Sequence, residues 1–289
     1  MQESVLSTLV LPLALGIIML GLGLSLTLAD FTRVIKYPKA VFIGLVCQML
    51  LLPFAALLVA KFLNLSPELA VGLMLLAASP GGPTANLYSH LSNGDVALNI
   101  TLTAINSVLT LFSLPIIMGL AMDYFLGEAR SIPMPFGKII SVFAIVLIPV
   151  SIGMLIKRFQ PTISTKLEKP VKIASALLLL LVIMAAIAKD SAVLGQHFAQ
   201  IGLAAFLFNV ISLVGGYFVP KLFNIDKKQA IAIGMEIGIH NGTLAIFIAL
   251  TVLNNSTMAV PPAIYSIIMF FTAAAFGYFV NRSNRVQAK

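Results

Sequence analysis

The chain has 289 residues, of which 60% are hydrophobic and only 10% charged, and its mean hydropathy is +1.04. A soluble domain carries about 25% charged residues, so this composition excludes an ordinary water-soluble enzyme or binding module and suits a bilayer as solvent. The net charge of +8 comes from basic residues scattered over short loops; with no basic stripe, nucleic acid is excluded as a partner and membrane lipid is expected.

Apolar runs close to the roughly 20 residues that cross a bilayer occupy 5–27, 38–62, 68–91, 95–125, 134–157, 170–188, 197–220, 227–253 and 261–281. Polar breaks at 30–39, 64–67, 92–95, 127–133, 157–170, 189–196, 221–228 and 254–262 separate them. No run alternates as a strand would. The expected class is therefore an all-α polytopic membrane protein with nine transmembrane helices in one membrane domain. The first run follows Met1-Gln2-Glu3-Ser4 with no cationic segment, so it is expected to stay as a span and not to be removed as a signal peptide. Cys47, in the second run, reads as a small buried hydrophobe and excludes an internal disulfide.

Nine spans put the two termini on opposite sides, and basic residues assign the sides. Arg33, Lys36, Lys39, Lys157, Arg158, Lys166, Lys169, Lys172, Lys221, Lys227, Lys228, Arg282, Arg285 and Lys289 fall on one side, against Lys61, Arg130, Lys138 and Lys189 on the other. Positive residues stay cytoplasmic. The C-terminus is expected inside and the N-terminus outside.

Two spans carry helix-breaking sequence at mid-depth. In the third, Pro80-Gly81-Gly82-Pro83 removes backbone donors and side-chain support, which makes a continuous helix improbable. In the eighth, Gly234, Gly238 and Gly242 surround Glu236, His240 and Asn241 without a proline, a weaker version of the same signal. Interrupted backbone in hydrocarbon survives where it lines a cavity or binds something. Paired interruptions in halves of opposite orientation point to an inverted-repeat transporter; the plainer reading is a pair of kinks used for packing.

Glu236 alone among the acidic residues sits well inside a span, and an intramembrane carboxylate marks a functional site by default. It can carry a proton or ligate a cation. Oxygen donors nearby favour the cation: Asn86 past the first break, Asn241 and Thr243 past the second, and Asn99 with Thr103 one turn apart on the fourth span. Gln48 reads first as a bond to a neighbouring helix and only then as a ligand, and Thr103 reads also as a bond to its own helix. His90 and His197 lie near span ends and read as interfacial. No P-loop, zinc pattern or nucleophile elbow is present.

At these residues the chain resembles bacterial members of the bile acid:sodium symporter family over nearly its whole length. The matching segments are Gly16 to Leu26, Pro80-Gly-Gly-Pro-Thr-Ala-Asn86 with Gly94 to Leu98, and Glu236-Ile-Gly-Ile-His-Asn241. Relatives often have ten helices, and this chain looks like the form without the first. The resemblance implies a core of 38–125 and 197–281, in which the two broken helices cross, and a panel of 5–27 and 134–188. It implies one or two sodium ions as the coupling ions and no organic cofactor. Asn86, Thr103 and Glu236 match the first sodium site. Gln48, Glu236 and the main-chain oxygens of Ile237 and Ile239 match the second. Three departures stand out. Ala85 lacks a hydroxyl that Asn99 is placed to replace; His240 stands where glutamine often ligates the second ion; and Phe270 replaces a polar substrate contact.

The resulting expectation is a monomeric sodium-coupled symporter of the bacterial inner membrane. It would import an organic anion, either bile-acid-like or a small carboxylate such as pantoate. The anion would meet Gly82, Pro83, Thr84, Asn241, Gly242 and Thr243. Proton-coupled or sodium-independent transport through Glu236 and His240 is the alternative. An intramembrane enzyme using that pair as acid and base is a remote one, because no second carboxylate, nucleophile or metal-ligand set accompanies them.

Overall fold

The computed structural model describes residues 9–127, 136–189 and 191–287. Arg130 lies outside the described residues, as do the side chains of Lys138, Lys172, Lys189, His197, Arg285 and Lys289. Among the described residues every regular element is helical.

Helix α1 (Leu11–Ser25) meets the short α2 (Leu28–Thr32), extended by a 3-10 turn over Arg33–Ile35, at a 73° bend. The bend is capped from both sides. Lys157 donates to the Ser25 carbonyl at 2.8 Å, which suits a cation at a helix C-terminus. Thr27 caps α2, and its own N–H and hydroxyl bond the Asp30 carboxylate at 2.6 and 2.7 Å. Asp30 is also ion-paired with Arg33. This second buried carboxylate is thus fully consumed by local structure.

The second run forms α3 (Pro38–Val46), a π-helical turn (Cys47–Leu51) and α4 (Leu52–Phe62). Pro53 has no N–H for the carbonyl one turn back, and Leu52 N–H reaches the Cys47 carbonyl instead, the wider spacing that defines a π bulge. The third run is split into α5 (Pro67–Ala78) and α6 (Pro83–Leu91), and α7 (Val96–Leu126) follows unbroken. Next come α8 (Phe136–Phe159), α9 (Pro161–Lys189) and α10 (Ser191–Leu222). The eighth run is split into α11 (Lys227–Gly238) and α12 (Gly242–Phe247), the latter continued by a second π-helical turn over Ile248–Val252. A 3-10 turn at Thr257–Ala259 leads into α13 (Val260–Gln287).

Two polar stretches read as breaks are more helical than expected. Only Gln160 separates α8 from α9, which carries Pro170 inside it, and α10 starts at Ser191. Pro161 takes the first position of its helix, where a missing N–H costs nothing. Polar side chains outside an apolar layer leave the helical hydrogen bonds intact.

Among the described residues, Pro38–Phe62, Val96–Leu126, Phe198–Leu222 and Thr257–Arg282 are long and apolar enough to cross a membrane, and the bent pair Leu11–Ser25 with Leu28–Ile35 makes a fifth. Pro67–Ala78 and Gly242–Val252 are apolar but shorter. Phe42, Phe54, Phe112, Phe218 and Phe271 project outward, an exterior matched to lipid tails.

Helix α1 packs against α8 and α9, while α11 packs against α7, α10 and α6. Gly23 and Gly153 let the α1 and α8 backbones touch: a β-carbon on either would strike main chain of the other helix. Contacts from α12 to α1 and α9, from α6 to α1, and from α13 and α10 to α9 join the two groups.

Candidate functional site

The two helix breaks lie against each other. Ser79 ends α5 in an extended conformation (φ −77°, ψ 144°), and Gly82 starts α6 from another (φ −114°, ψ 170°). Ile239 turns the chain out of α11, and Asn241 caps α12, its side-chain oxygen accepting from Leu244 N–H at 3.1 Å. Asn241 N–H donates to the Pro80 carbonyl at 2.8 Å and Gly82 N–H to the Ile239 carbonyl at 3.2 Å, making an antiparallel bridge between Gly81 and His240. Each break thereby satisfies backbone groups freed by the other, which is how interrupted backbone persists away from water.

Glu236 sits in the last turn of α11, just before this bridge, and is 0% exposed. Thr103 Oγ1 donates to its Oε2 at 2.6 Å, and Asn106 Nδ2 to its Oε1 at 3.3 Å. The Thr103 hydroxyl also lies 3.0 Å from the Asn99 carbonyl, so its single proton has a choice between its own helix and the carboxylate. Asn99 Nδ2 donates to the Ala232 carbonyl, one turn before Glu236, at 2.6 Å. Helix α7 is thus laced to α11 through Asn99, Thr103 and Asn106. Asn106 was not singled out from sequence, although its spacing from Asn99 and Thr103 places it on their face.

The Ser79 carbonyl marks the other side of the bridge. Gln48 Nε2 donates to it at 3.0 Å, and to the Ala77 carbonyl at 3.3 Å, from within the π-helical turn. His240 Nδ1 lies 3.1 Å from the same oxygen, a contact that needs the proton on Nδ1. The imidazole stacks on Phe208 and meets Tyr265 edge-on. Gly238, the last residue of α11, has its carbonyl capped by Asn209 Nδ2 at 2.7 Å and by the Tyr265 hydroxyl at 2.9 Å. Thr272 in turn donates to Asn209 Oδ1. Sequence reading missed this cap, because Asn209, Tyr265 and Thr272 come from different runs and none stands out alone.

The remaining expected contacts separate into two kinds. Pro83 and Thr84 are half-buried at the start of α6. Gly242 and Thr243 are buried, and Gly242 is pressed so closely on Ser266 that a β-carbon would overlap it. Phe270 stacks on Tyr88 at 6.2 Å, joining α13 to α6. Ile237 and Ile239 are fully buried, and the Ile239 carbonyl already receives the Gly82 N–H.

The chemistry of this donor set can be tested against a small hard cation. Buried side-chain oxygens without a hydrogen-bond partner among the described residues include Gln48 Oε1, Asn86 Oδ1, Asn99 Oδ1 and Asn106 Oδ1. A buried acceptor without a donor costs about 1–3 kcal/mol. Amide oxygens plus one carboxylate are the ligands that hard cations prefer, so the residues fit sodium. His240 Nε2 is likewise buried without a partner among the described residues, and as a nitrogen it suits sodium less well.

Comparison with known proteins follows the same lines. The chain is 30% identical over 255 residues to the probable sodium/metabolite cotransporter BASS1, chloroplastic, of Arabidopsis thaliana, covering 88% of this chain and 62% of that protein. It is 28% identical over 265 residues to the probable sodium/metabolite cotransporter BASS2, chloroplastic, of Oryza sativa subsp. japonica, covering 92% and 62%. It is 30% identical over 253 residues to the uncharacterized sodium-dependent transporter YocS of Bacillus subtilis (strain 168), covering 88% and 77%. The chain therefore spans about 62% of the length of the two plant relatives. The model of the sodium bile acid symporter family matches residues 12–197, which include the first break and the oxygen-bearing face of α7, and the chain belongs to that family.

Proposed function

We propose that this chain is a sodium-coupled symporter that imports an organic anion across a bacterial inner membrane. One observation carries the reading: a fully buried carboxylate, Glu236, lies beside two paired helix breaks and is bonded by Asn106, whose own amide oxygen lacks a donor among the described residues. Glu236, Thr103, Asn99 and Asn86 hold one sodium ion. Gln48, Glu236, His240 and the main chain of Ile237 and Ile239 hold a second. An ion at Glu236 neutralises the carboxylate and draws α7, α11 and the α5–α6 break together. That fixes the starts of α6 and α12, where Gly82, Pro83, Thr84, Asn241, Gly242 and Thr243 meet the anion.

The wider architecture belongs to the same proposal. Nine spans form an inverted repeat, with the N-terminus outside and the C-terminus in the cytoplasm. A panel of α1, α8 and α9 moves against a core of α3 to α7 and α10 to α13, alternating access. The packing of α1 on α8 and α9, and of α11 on α6, α7 and α10, supports this division. The inward sodium gradient and the membrane potential, about 2.3 kcal/mol per charge per 100 mV, drive import. The substrate is a small carboxylate or a bile-acid-like anion; Phe270 stacked on Tyr88 favours an apolar contact beside the anionic group.

Uptake of labelled pantoate and of a conjugated bile acid into proteoliposomes, with sodium and proton gradients imposed separately, tests the proposal. Accumulation that follows the sodium gradient supports it. Accumulation that ignores sodium and follows protons supports the second reading, favoured by the Nε2 of His240, which has no partner among the described residues, in which Glu236 and His240 carry the coupling proton.

A further inference from the structure

The oxygen-bearing face of α7 continues past the residues already placed at the cation. Asn99, Thr103, Asn106 and Thr110 recur at steps of four, three and four, which confines them to one narrow stripe spanning roughly 16 Å of helix axis. Asn99, Thr103 and Asn106 are 0% exposed and Thr110 is 2% exposed. Two other hydroxyls of the helix are satisfied locally: Thr101 bonds the Ala97 carbonyl at 2.9 Å and Ser107 the Thr103 carbonyl at 2.7 Å. Thr110 Oγ1 and Asn106 Oδ1 have no partner among the described residues. Packing alone does not account for two such oxygens one turn apart.

The orientation of the Asn106 amide sharpens the point. Its Nδ2 donates to Glu236 Oε1, while its oxygen is left without a donor among the described residues. Half a turn about the Cβ–Cγ bond exchanges the two ends. The N–H that shields the carboxylate is then replaced by an oxygen able to ligate a cation there.

We propose that Asn106 and Thr110 form an additional cation-binding position on α7, adjoining Glu236, and that the Asn106 amide turns to present its oxygen when sodium arrives. This rests on the sodium reading above. With α7 running outward from Asp95, Thr110 lies on the outer side of Glu236, so the position serves an ion entering from outside.

The test uses purified full-length protein in detergent, with sodium chloride titrated against potassium chloride at constant ionic strength and thermal stability as the readout. Asn106→Leu is expected to weaken the apparent sodium affinity about tenfold. Asn106→Asp keeps an oxygen but loses the N–H, and is expected to hold the affinity within about threefold of wild type or tighten it. Thr110→Val is expected to weaken it about threefold, and Thr110→Ser to restore it. If Asn106→Asp loses as much affinity as Asn106→Leu, the amide acts only as a donor to Glu236 and the proposal is overturned. Unchanged affinity in Asn106→Leu and Thr110→Val overturns it too. Should Asn106→Leu not fold, the Asp and Val variants decide by the same criteria. A wild-type protein that sodium does not stabilise at all removes the symport reading itself, an outcome distinct from a sodium-responsive wild type with indifferent variants.

Discussion

The α-carbon of Gly81 lies against the carboxylate of Glu236, with no room between them for a β-carbon. Gly81 belongs to the bridge that joins the two breaks, so carboxylate and bridge are set by one contact. Any side chain here must displace either Glu236 or the extended segment that crosses it. Gly81→Ala is expected to abolish sodium-dependent thermal stabilisation while the protein remains folded and helical by circular dichroism. A normal sodium response in that variant would show that the close approach is not needed.

Thr103 is the shorter of the two hydrogen bonds to Glu236 and comes from the same helix face as Asn99. A hydrogen bond to a charged group contributes about 1.5–3 kcal/mol. Thr103→Val keeps the shape and removes the oxygen, and is expected to weaken sodium affinity by about 10- to 100-fold. Thr103→Ser is expected to restore most of it. Sodium titration of thermal stability in both variants checks this pair.

His240 holds the Ser79 carbonyl together with Gln48, so its ring position is fixed even though its second nitrogen has no partner among the described residues. His240→Gln puts an amide oxygen at this place. Sodium affinity is expected to tighten by up to about tenfold, as measured by the midpoint of sodium-dependent stabilisation. An unaltered midpoint would remove His240 from the cation site.

The cap on Gly238 predicts a different kind of effect. Asn209 and Tyr265 satisfy a C-terminal carbonyl of α11 without touching Glu236. Tyr265→Phe is expected to lower stability by about 1 kcal/mol, because Asn209 still caps the carbonyl. Asn209→Leu should cost more, since it removes the bonds to the Tyr265 hydroxyl and from Thr272 as well as one donor to the carbonyl, although Thr272 keeps the Ile268 carbonyl and Tyr265 the Gly238 carbonyl. Both should leave the sodium-induced shift in melting temperature intact. A loss of that shift would place the cap within the cation site.

Much of this arrangement was legible in the chain because few residue types tolerate such positions. Pro80 to Pro83 removes helix support so thoroughly that a break follows from elementary backbone chemistry, and Glu236 stands out because a lone carboxylate in an apolar run needs a reason. The family resemblance implied that the broken helices cross, but the hydrogen-bonded pairing of their breaks was not legible. Ser79 and His240 are 161 residues apart, and main-chain hydrogen bonds leave no mark on side-chain identity. Asn106 was hidden for another reason: an asparagine inside a long helix reads as packing until its carboxylate partner is known. The π-helical turn around Gln48 follows from Pro53, but a proline in that position equally suggests a simple kink. The continuity of α9 through Lys166, Lys169 and Pro170 escaped because charged residues were read as a loop, whereas a helix leaving the apolar layer carries them freely.

Equilibrium binding of radioactive sodium to the purified full-length protein, compared between wild type and Glu236→Gln, tests the central claim most directly. The account predicts saturable binding to wild type that potassium does not displace, and its loss in Glu236→Gln, which keeps the shape but removes the charge and exchanges one acceptor oxygen for an amide donor. Equal binding by the two proteins, or none by wild type, would contradict it.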